Sequence, residues 1–164
     1  MPFSVPAFES KITAPENLAQ RVRGLAAPVV FTNGVFDLLH RGHVTYLAQA
    51  RAQGAALIVA LNDDDSVRRL GKGGDRPINT LSDRLAVVAA LECVSLVTWF
   101  SQDTPLELIR AITPQVLVKG GDWPVDQIVG GEWVRQHGGR VLSIAFEHQR
   151  STTETLAKIR QSER

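Results

Sequence analysis

Five short apolar runs, separated by stretches of helical periodicity, are the feature that most narrows what this chain can become. They are Val29 to Thr32, Leu57 to Leu61, Leu96 to Phe100, Val116 to Val118 and Val141 to Phe146. Their length and unbroken apolar character suit strands buried on both faces. Between them, residues 42 to 53 place Val44, Leu47 and Ala48 on one helical face and stop at Gly54. Residues 81 to 92 do the same with Leu81, Leu85, Val88 and Leu91. Strands alternating with helices imply right-handed crossovers and a mostly parallel sheet of about five strands, with helices on both faces. The expectation is one doubly wound α/β domain over residues 13–164.

Local signals place the helix starts. Thr13-Ala14-Pro15-Glu16 has the form of a capping box and is followed by Leu18, Val22 and Leu25 at helical spacing. Thr104-Pro105-Leu106-Glu107 offers an N-cap, a proline at the first helical position and a second capping-box glutamate, and Pro114 ends that helix. Residues 1 to about 12 carry two prolines and no periodicity, and are expected to form a loosely held arm.

Composition excludes several classes. The 164 residues are 44% apolar, enough for one core without disulfide or metal staples. With 18 Lys plus Arg against 17 Asp plus Glu the net charge is +1, which argues against binding nucleic acid or an anionic membrane through bulk charge. Anion binding must therefore be local. The single cysteine, Cys93, allows no internal disulfide. No stretch approaches the roughly 18 apolar residues of a membrane span, and the first residues lack the order of a signal peptide. A cytoplasmic protein is expected.

In a parallel sheet of this kind ligands bind beyond the carboxyl ends of the strands. The first such loop reads Thr32-Asn33-Gly34-Val35-Phe36-Asp37-Leu38-Leu39-His40-Arg41-Gly42-His43. Gly34 permits a tight turn, and His40 and His43 fall on one side of the first helical turn. Free N–H groups and the helix dipole attract anions there, and imidazoles can donate to phosphate oxygens. Gly42 removes a side chain where a triphosphate would lie against backbone. Two other readings remain open for the histidines, half of a metal site or partners for loop carbonyls.

Three further segments stand out. Arg68, Arg69, Lys72, Arg76 and Arg84 fall within 17 residues that also hold Gly71, Gly73 and Gly74, a solvated basic loop or a cationic arm that closes on polyphosphate. Lys119-Gly120-Gly121-Asp122-Trp123 follows the fourth strand, where Asp122 could accept from a ribose hydroxyl and Trp123 offers a flat face; a plain turn with a core tryptophan is the alternative. Ser151-Thr152-Thr153 starts the last helix as a plain cap, a second anion-binding terminus, or both. Cys93 reads as a buried inert thiol, His137 and His148 as surface residues, and Trp99 and Trp133 as core or interface. Asp63-Asp64-Asp65 reads as a helix cap, with a metal role as the alternative.

The first loop resembles the opening of the nucleotidyltransferases that carry an H-x-G-H motif, and the likeness extends over about residues 11–161. Gly73 to Asn79, Leu117 to Trp123 and Ser151 to Thr153 match as well. The resemblance implies a Rossmann-like fold and is nearest to the branch that adenylylates D-glycero-β-D-manno-heptose 1-phosphate for lipopolysaccharide. It implies catalytic roles for His40, His43 and Lys72. It implies nucleotide contacts from Thr32, Asn33, Gly34, Phe36, Gly42, Lys119, Gly121, Asp122, Trp123, Ser151, Thr152 and Thr153, and a phosphate contact at Arg84. ATP and a sugar 1-phosphate would be the substrates, with Mg²⁺ carried mainly by the nucleotide phosphates, no separate metal ligands, and a homo-oligomer as the assembly.

At this length the likeness covers the transferase alone, so a separate kinase is expected to supply the sugar phosphate. A cytidylyltransferase acting on glycerol or another alcohol phosphate is the nearest alternative, but its usual R-Y-V-D is replaced here by Glu92-Cys93-Val94-Ser95. A nucleotide sensor without turnover is the alternative from another class, and the intact pair of histidines with Lys72 argues against it.

Overall fold

Every residue of the strand Ala56–Asn62 is buried, as the unbroken apolar run from Ala56 to Leu61 requires, and the rest of the molecule is arranged around it. The computed structural model describes residues 4–71, 75–148 and 152–162. Among these, five strands form one sheet: β1 (Val29–Gly34), β2 (Ala56–Asn62), β3 (Leu96–Phe100), β4 (Val116–Gly120) and β5 (Arg140–Ile144). Their order is β3-β2-β1-β4-β5 and every pairing is parallel. The helices are α1 (Pro15–Val22), α2 (Arg41–Arg51), α3 (Asp64–Arg69), α4 (Leu81–Ala89), α5 (Leu106–Ile112), α6 (Gly131–Gln136) and α7 (Thr152–Ser162).

Successive strand residues point to opposite faces, so β2 feeds two separate apolar layers. Leu57, Val59 and Leu61 pack with Tyr46 and Leu47 of α2 and with Leu85 and Val88 of α4. Ile58 and Ala60 pack instead with Leu18 of α1, Ile109 of α5 and Val134 of α6. Helices α2 and α4 thus pack on one face, and α1, α5 and α6 on the other. The direction of winding reverses between β1 and β4, and the crevice at such a reversal is where open α/β sheets bind ligands.

The structure departs from the sequence expectations in four places. Residues 7–11 form a short 3₁₀ helix with Phe8 and Ile12 packed on the core, and Ile12 bridges Val97 at the free edge of β3. That pairing draws Thr13 out of its expected capping role: its amide donates to Val97 O at 2.8 Å and its hydroxyl to Lys11 O. Ala14 becomes the cap residue of α1, with Pro15 at the first position. Helix α5 likewise starts one residue late, after Pro105, without a side-chain cap. On α2 the buried stripe is Tyr46, Leu47 and Ala50, while Val44 and Ala48 face outward. Asp63 does cap the next helix, accepting from Ser66 N at 2.7 Å.

Candidate active site

The site is built from the loop between β1 and α2. Phe36 adopts a left-handed backbone (φ 49°) and lays its ring over Gly34, where a Cβ would come within 2.9 Å of Phe36 Cε2. The ring also meets His43 edge-on, with centroids 5.3 Å apart. His40 stands just before α2 in extended conformation, and its ring stacks on His43 at 3.8 Å and an interplanar angle of 20°. Gly42 makes this stack possible. A Cβ there would lie 3.1 Å from the His40 ring and 2.9 Å from the carbonyl of His148. The space that the sequence suggested for a phosphate is taken by protein.

Beneath the loop, the fully buried Asp37 carboxylate accepts from Arg76 Nε (2.7 Å), Ile78 N (2.9 Å) and Asn79 N (2.8 Å). Asn79 returns a bond from its side chain to Asp37 O at 2.8 Å. One carboxylate therefore ties the segment that follows the basic stretch to the histidine loop.

Helix α7 begins beside α2. Thr152 is buried and donates to Leu38 O at 3.4 Å, and Phe146 packs on Tyr46 with ring centroids 5.4 Å apart. Gly120 admits that aromatic pair, since a Cβ would meet Phe146 at 2.8 Å and Tyr46 at 3.1 Å. The two helix starts therefore bring their positive dipole ends to the same part of the sheet edge as the stacked histidines.

A cavity of about 410 Å³ opens on the opposite face of the same edge. Its floor is three consecutive strand ends: Asn62 of β2, Asn33 of β1 and Lys119 of β4. Strand alternation explains the set, because each follows a residue directed at the α2 and α4 face. Val35 and Ile128 form part of its apolar wall, Trp123 stands at its side with 51% exposure, and Lys119 Nζ lies 5.9 Å from the Trp123 ring centre. Trp123 N donates to Ser143 Oγ at 3.1 Å, and Gly121 turns the loop at φ 102°. A wider groove of about 620 Å³ lies between α1 and the start of β3, at the far end of the strands from the histidines.

Residues 31–159, from β1 into α7, match the cytidylyltransferase-like family. The chain belongs to that family. Membership makes the protein a nucleotidyltransferase and places the family's match over both helix starts and the cavity floor. The chain is 55% identical over 156 residues to the D-beta-D-heptose 1-phosphate adenylyltransferase of Bordetella bronchiseptica, covering 94% of this chain and 96% of the relative. It is 58% identical over 132 residues to the bifunctional protein HldE of Azotobacter vinelandii, a stretch that is 80% of this chain and 28% of that protein. Among solved structures, the lipopolysaccharide core biosynthesis protein from Thermoplasma volcanium aligns with a TM-score of 0.60 and 25% identity, over 77% of this chain and all of that one. Pantoate-beta-alanine ligase from Francisella tularensis shares the fold, with a TM-score of 0.57 at 12% identity over 86% of this chain and 68% of that one.

Within this nucleotidyltransferase, three expected ligand contacts are turned inward. Thr32 is wholly buried, its hydroxyl 2.5 Å from Tyr46 OH. Phe36 is buried as the support of His43. Arg84 is fully buried with its guanidinium already bonded: Nε to Asn79 O, Nη1 to Val35 O and Asn62 O, and Nη2 to Asp64 Oδ1 at 2.7 Å. It is a strut between the loops that bound the site, too deep to reach a phosphate. Asn33, Gly34, Lys119 and Trp123 do line the cavity, while Asp122 is exposed beside it. Lys72, Ser151 and the side chain of Thr153 lie outside the described residues.

Sequence reasoning missed the anchoring role of Asp37 and the cavity residues Asn62, Asp103, Thr104 and Gln127. Only Asn62 carried a signal, as the last residue of an otherwise apolar strand. Among the described residues no group of three or more His, Cys, Asp or Glu is arranged to hold a metal ion, and none of the helices is long and apolar enough to cross a membrane. Burial raises the Cys93 thiol above its ordinary pKa, as suits an inert group.

Proposed function

We propose that the protein transfers the adenylyl group of ATP to D-glycero-β-D-manno-heptose 1-phosphate, giving ADP-heptose and pyrophosphate for lipopolysaccharide core synthesis. The observation that carries the reading is the His40–His43 stack at the start of α2, with the start of α7 beside it. Such an arrangement suits a chain of phosphates held between two dipole ends. The 55% identity to a heptose 1-phosphate adenylyltransferase, over nearly the full length of both chains, supports the choice of substrates.

The sugar phosphate is already an anionic nucleophile at neutral pH, so the reaction needs no strong base. One of its oxygens forms the new bond to the α-phosphorus of ATP as the bond to the β-phosphoryl oxygen breaks, and pyrophosphate leaves with that electron pair. His40, His43 and Lys72 neutralise charge that develops on the phosphates, and the N–H groups at the starts of α2 and α7 orient them. Ser151 and Thr153 take part in that second cradle, while Asp122, Trp123 and Gly121 border the nucleoside. Mg²⁺ would come with the triphosphate and supply charge neutralisation, a division of labour that suits a site whose described residues offer no carboxylate cage.

Pyrophosphate release over a grid of ATP, CTP, GTP and UTP against several sugar and alcohol phosphates tests the reading. Release with ATP and heptose 1-phosphate is the expected result. Release with CTP and glycerol phosphate would replace it by the cytidylyl reading, and binding without release by a sensor.

A further inference from the structure

The 410 Å³ cavity lies on the face of the sheet away from the histidine stack, and in-line chemistry gives that separation a meaning. Nucleophile and leaving group must approach the transferred phosphorus from opposite sides. If pyrophosphate departs toward the starts of α2 and α7, the attacking phosphate must enter from the far side of the Asn33–Val35 turn. The cavity begins at that turn.

Its lining is suited to a polyhydroxylated ligand. Asn62 is buried to 5% exposure and has one amide hydrogen bonded to Ser66 Oγ at 2.9 Å. From the rim, Asp103, whose Oδ1 is paired with Arg69 Nε at 3.0 Å, adds its second carboxylate oxygen as an acceptor, Thr104 a hydroxyl and Gln127 a second amide. Alternating hydroxyl and C–H edges of a sugar match such a mixture of polar groups and the apolar wall of Val35 and Ile128. Lys119 on the floor provides a cation for the phosphate that must sit nearest β1. The volume falls within the roughly 300–1,000 Å³ usual for small-molecule sites.

We propose that this cavity is the acceptor subsite, and that Asp103, Thr104 and Gln127 select a polyhydroxylated sugar phosphate over a short alcohol phosphate. The inference rests on the transferase reading above. A short alcohol phosphate reaches none of these three exposed groups, which stay solvated, so the selectivity comes from the hydroxyl contacts that only the sugar gains.

The test uses Thr104→Val, Gln127→Ala and Asp103→Asn. Thr104 is exposed on a loop and Gln127 at the end of the short 3₁₀ helix Val125–Gln127, so their variants keep the fold, which circular dichroism checks for all three. Steady-state pyrophosphate release is measured with ATP and heptose 1-phosphate, and again with glycerol 3-phosphate as acceptor. The expected result is a rise of about tenfold or more in KM for the heptose phosphate, ATP KM within about twofold of the parent, and a shrunken preference for heptose over glycerol phosphate. A rise in ATP KM with the acceptor KM unchanged would assign the cavity to the nucleotide and overturn the inference, as would variants that behave like the parent. Should the parent use another acceptor, the heptose reading fails by itself, and the same variants are scored by the KM of that acceptor.

Discussion

Asp37 and Arg76, 39 residues apart in sequence, form a buried ion pair at 2.7 Å, with side-chain exposures of 0% and 7%. The carboxylate also receives two backbone amides from Ile78 and Asn79, so a single side chain fastens the 76–79 segment under the histidine loop. Removing one partner of such a pair leaves the other charge buried and uncompensated. Asp37→Ala is expected to cost about 3–5 kcal/mol of stability. Urea unfolding followed by circular dichroism measures this. A loss below about 1 kcal/mol would mean that the pair is not the anchor.

The histidine stack depends on Gly42. Gly42→Ala would drive a Cβ to 3.1 Å from the His40 ring and 2.9 Å from the backbone carbonyl of His148. The His40 ring must then give by a few tenths of an ångström, and the tighter contact with the carbonyl forces a local backbone shift. The variant is expected to fold but to lose about tenfold in kcat, since even a sub-ångström misplacement of a positioned group is costly. His40→Ala and His43→Ala are each expected to lose about 10²-fold or more. Near-normal turnover in either histidine variant, measured by pyrophosphate release, would remove the pair from the mechanism.

Arg84 separates a structural cation from a ligand cation. Its guanidinium joins the carbonyls of Val35, Asn62 and Asn79 to the Asp64 carboxylate, which a lysine cannot do with one ammonium group. Arg84→Lys is expected to lower stability by about 2–4 kcal/mol, since several buried acceptors lose their donors. Below its lowered melting temperature it should bind ATP with little change in Kd. A large loss of ATP affinity in a variant of full stability would restore the phosphate role.

Tyr46 gives the fold an alkaline limit. Burial pushes its phenol well above the ordinary value of 10.0, with the bond to Thr32 acting weakly in the opposite direction. The folded state therefore keeps a proton that the unfolded chain releases above about pH 10. Stability from this group is complete below that pH and falls as pH rises further, by up to about 1.4 kcal/mol per unit. Tyr46→Phe removes this part of the slope, which unfolding curves between pH 9 and 11 would show as a flatter alkaline decline. An unchanged slope would place the titration elsewhere.

Much of the architecture could be read from local pattern. The five apolar runs became the five strands within one or two residues at each end, because unbroken Val, Ile, Leu and Ala runs such as Ala56 to Leu61 have no favourable place except between two layers. Helix starts were less legible. Thr13 carried the right capping letters, but pairing of the neighbouring Ile12 with Val97 took its backbone into the sheet edge. Arg84 was misread although its position agreed with burial: it lies three residues after Leu81 and four before Val88, on the helix's own apolar face. The charge spoke for solvent, and the period spoke for the core. The period prevailed because three carbonyls and a carboxylate converge on that point, which no count along the chain can show.

The sequence by itself determined the parallel sheet, the loop that carries His40 and His43, and the glycine between them, since each follows from neighbours within a dozen residues. Only the tertiary structure decided which groups share a space. It stacked the two imidazoles, filled the gap at Gly42 with protein, buried Arg84, and gathered Asn33, Asn62, Asp103, Thr104, Lys119 and Gln127 around one cavity. Those six come from the ends of four strands and the loops beyond them. Their proximity is set by strand order and by the alternation of faces, both of which arise when the sheet pairs and neither of which is written in any local stretch of residues.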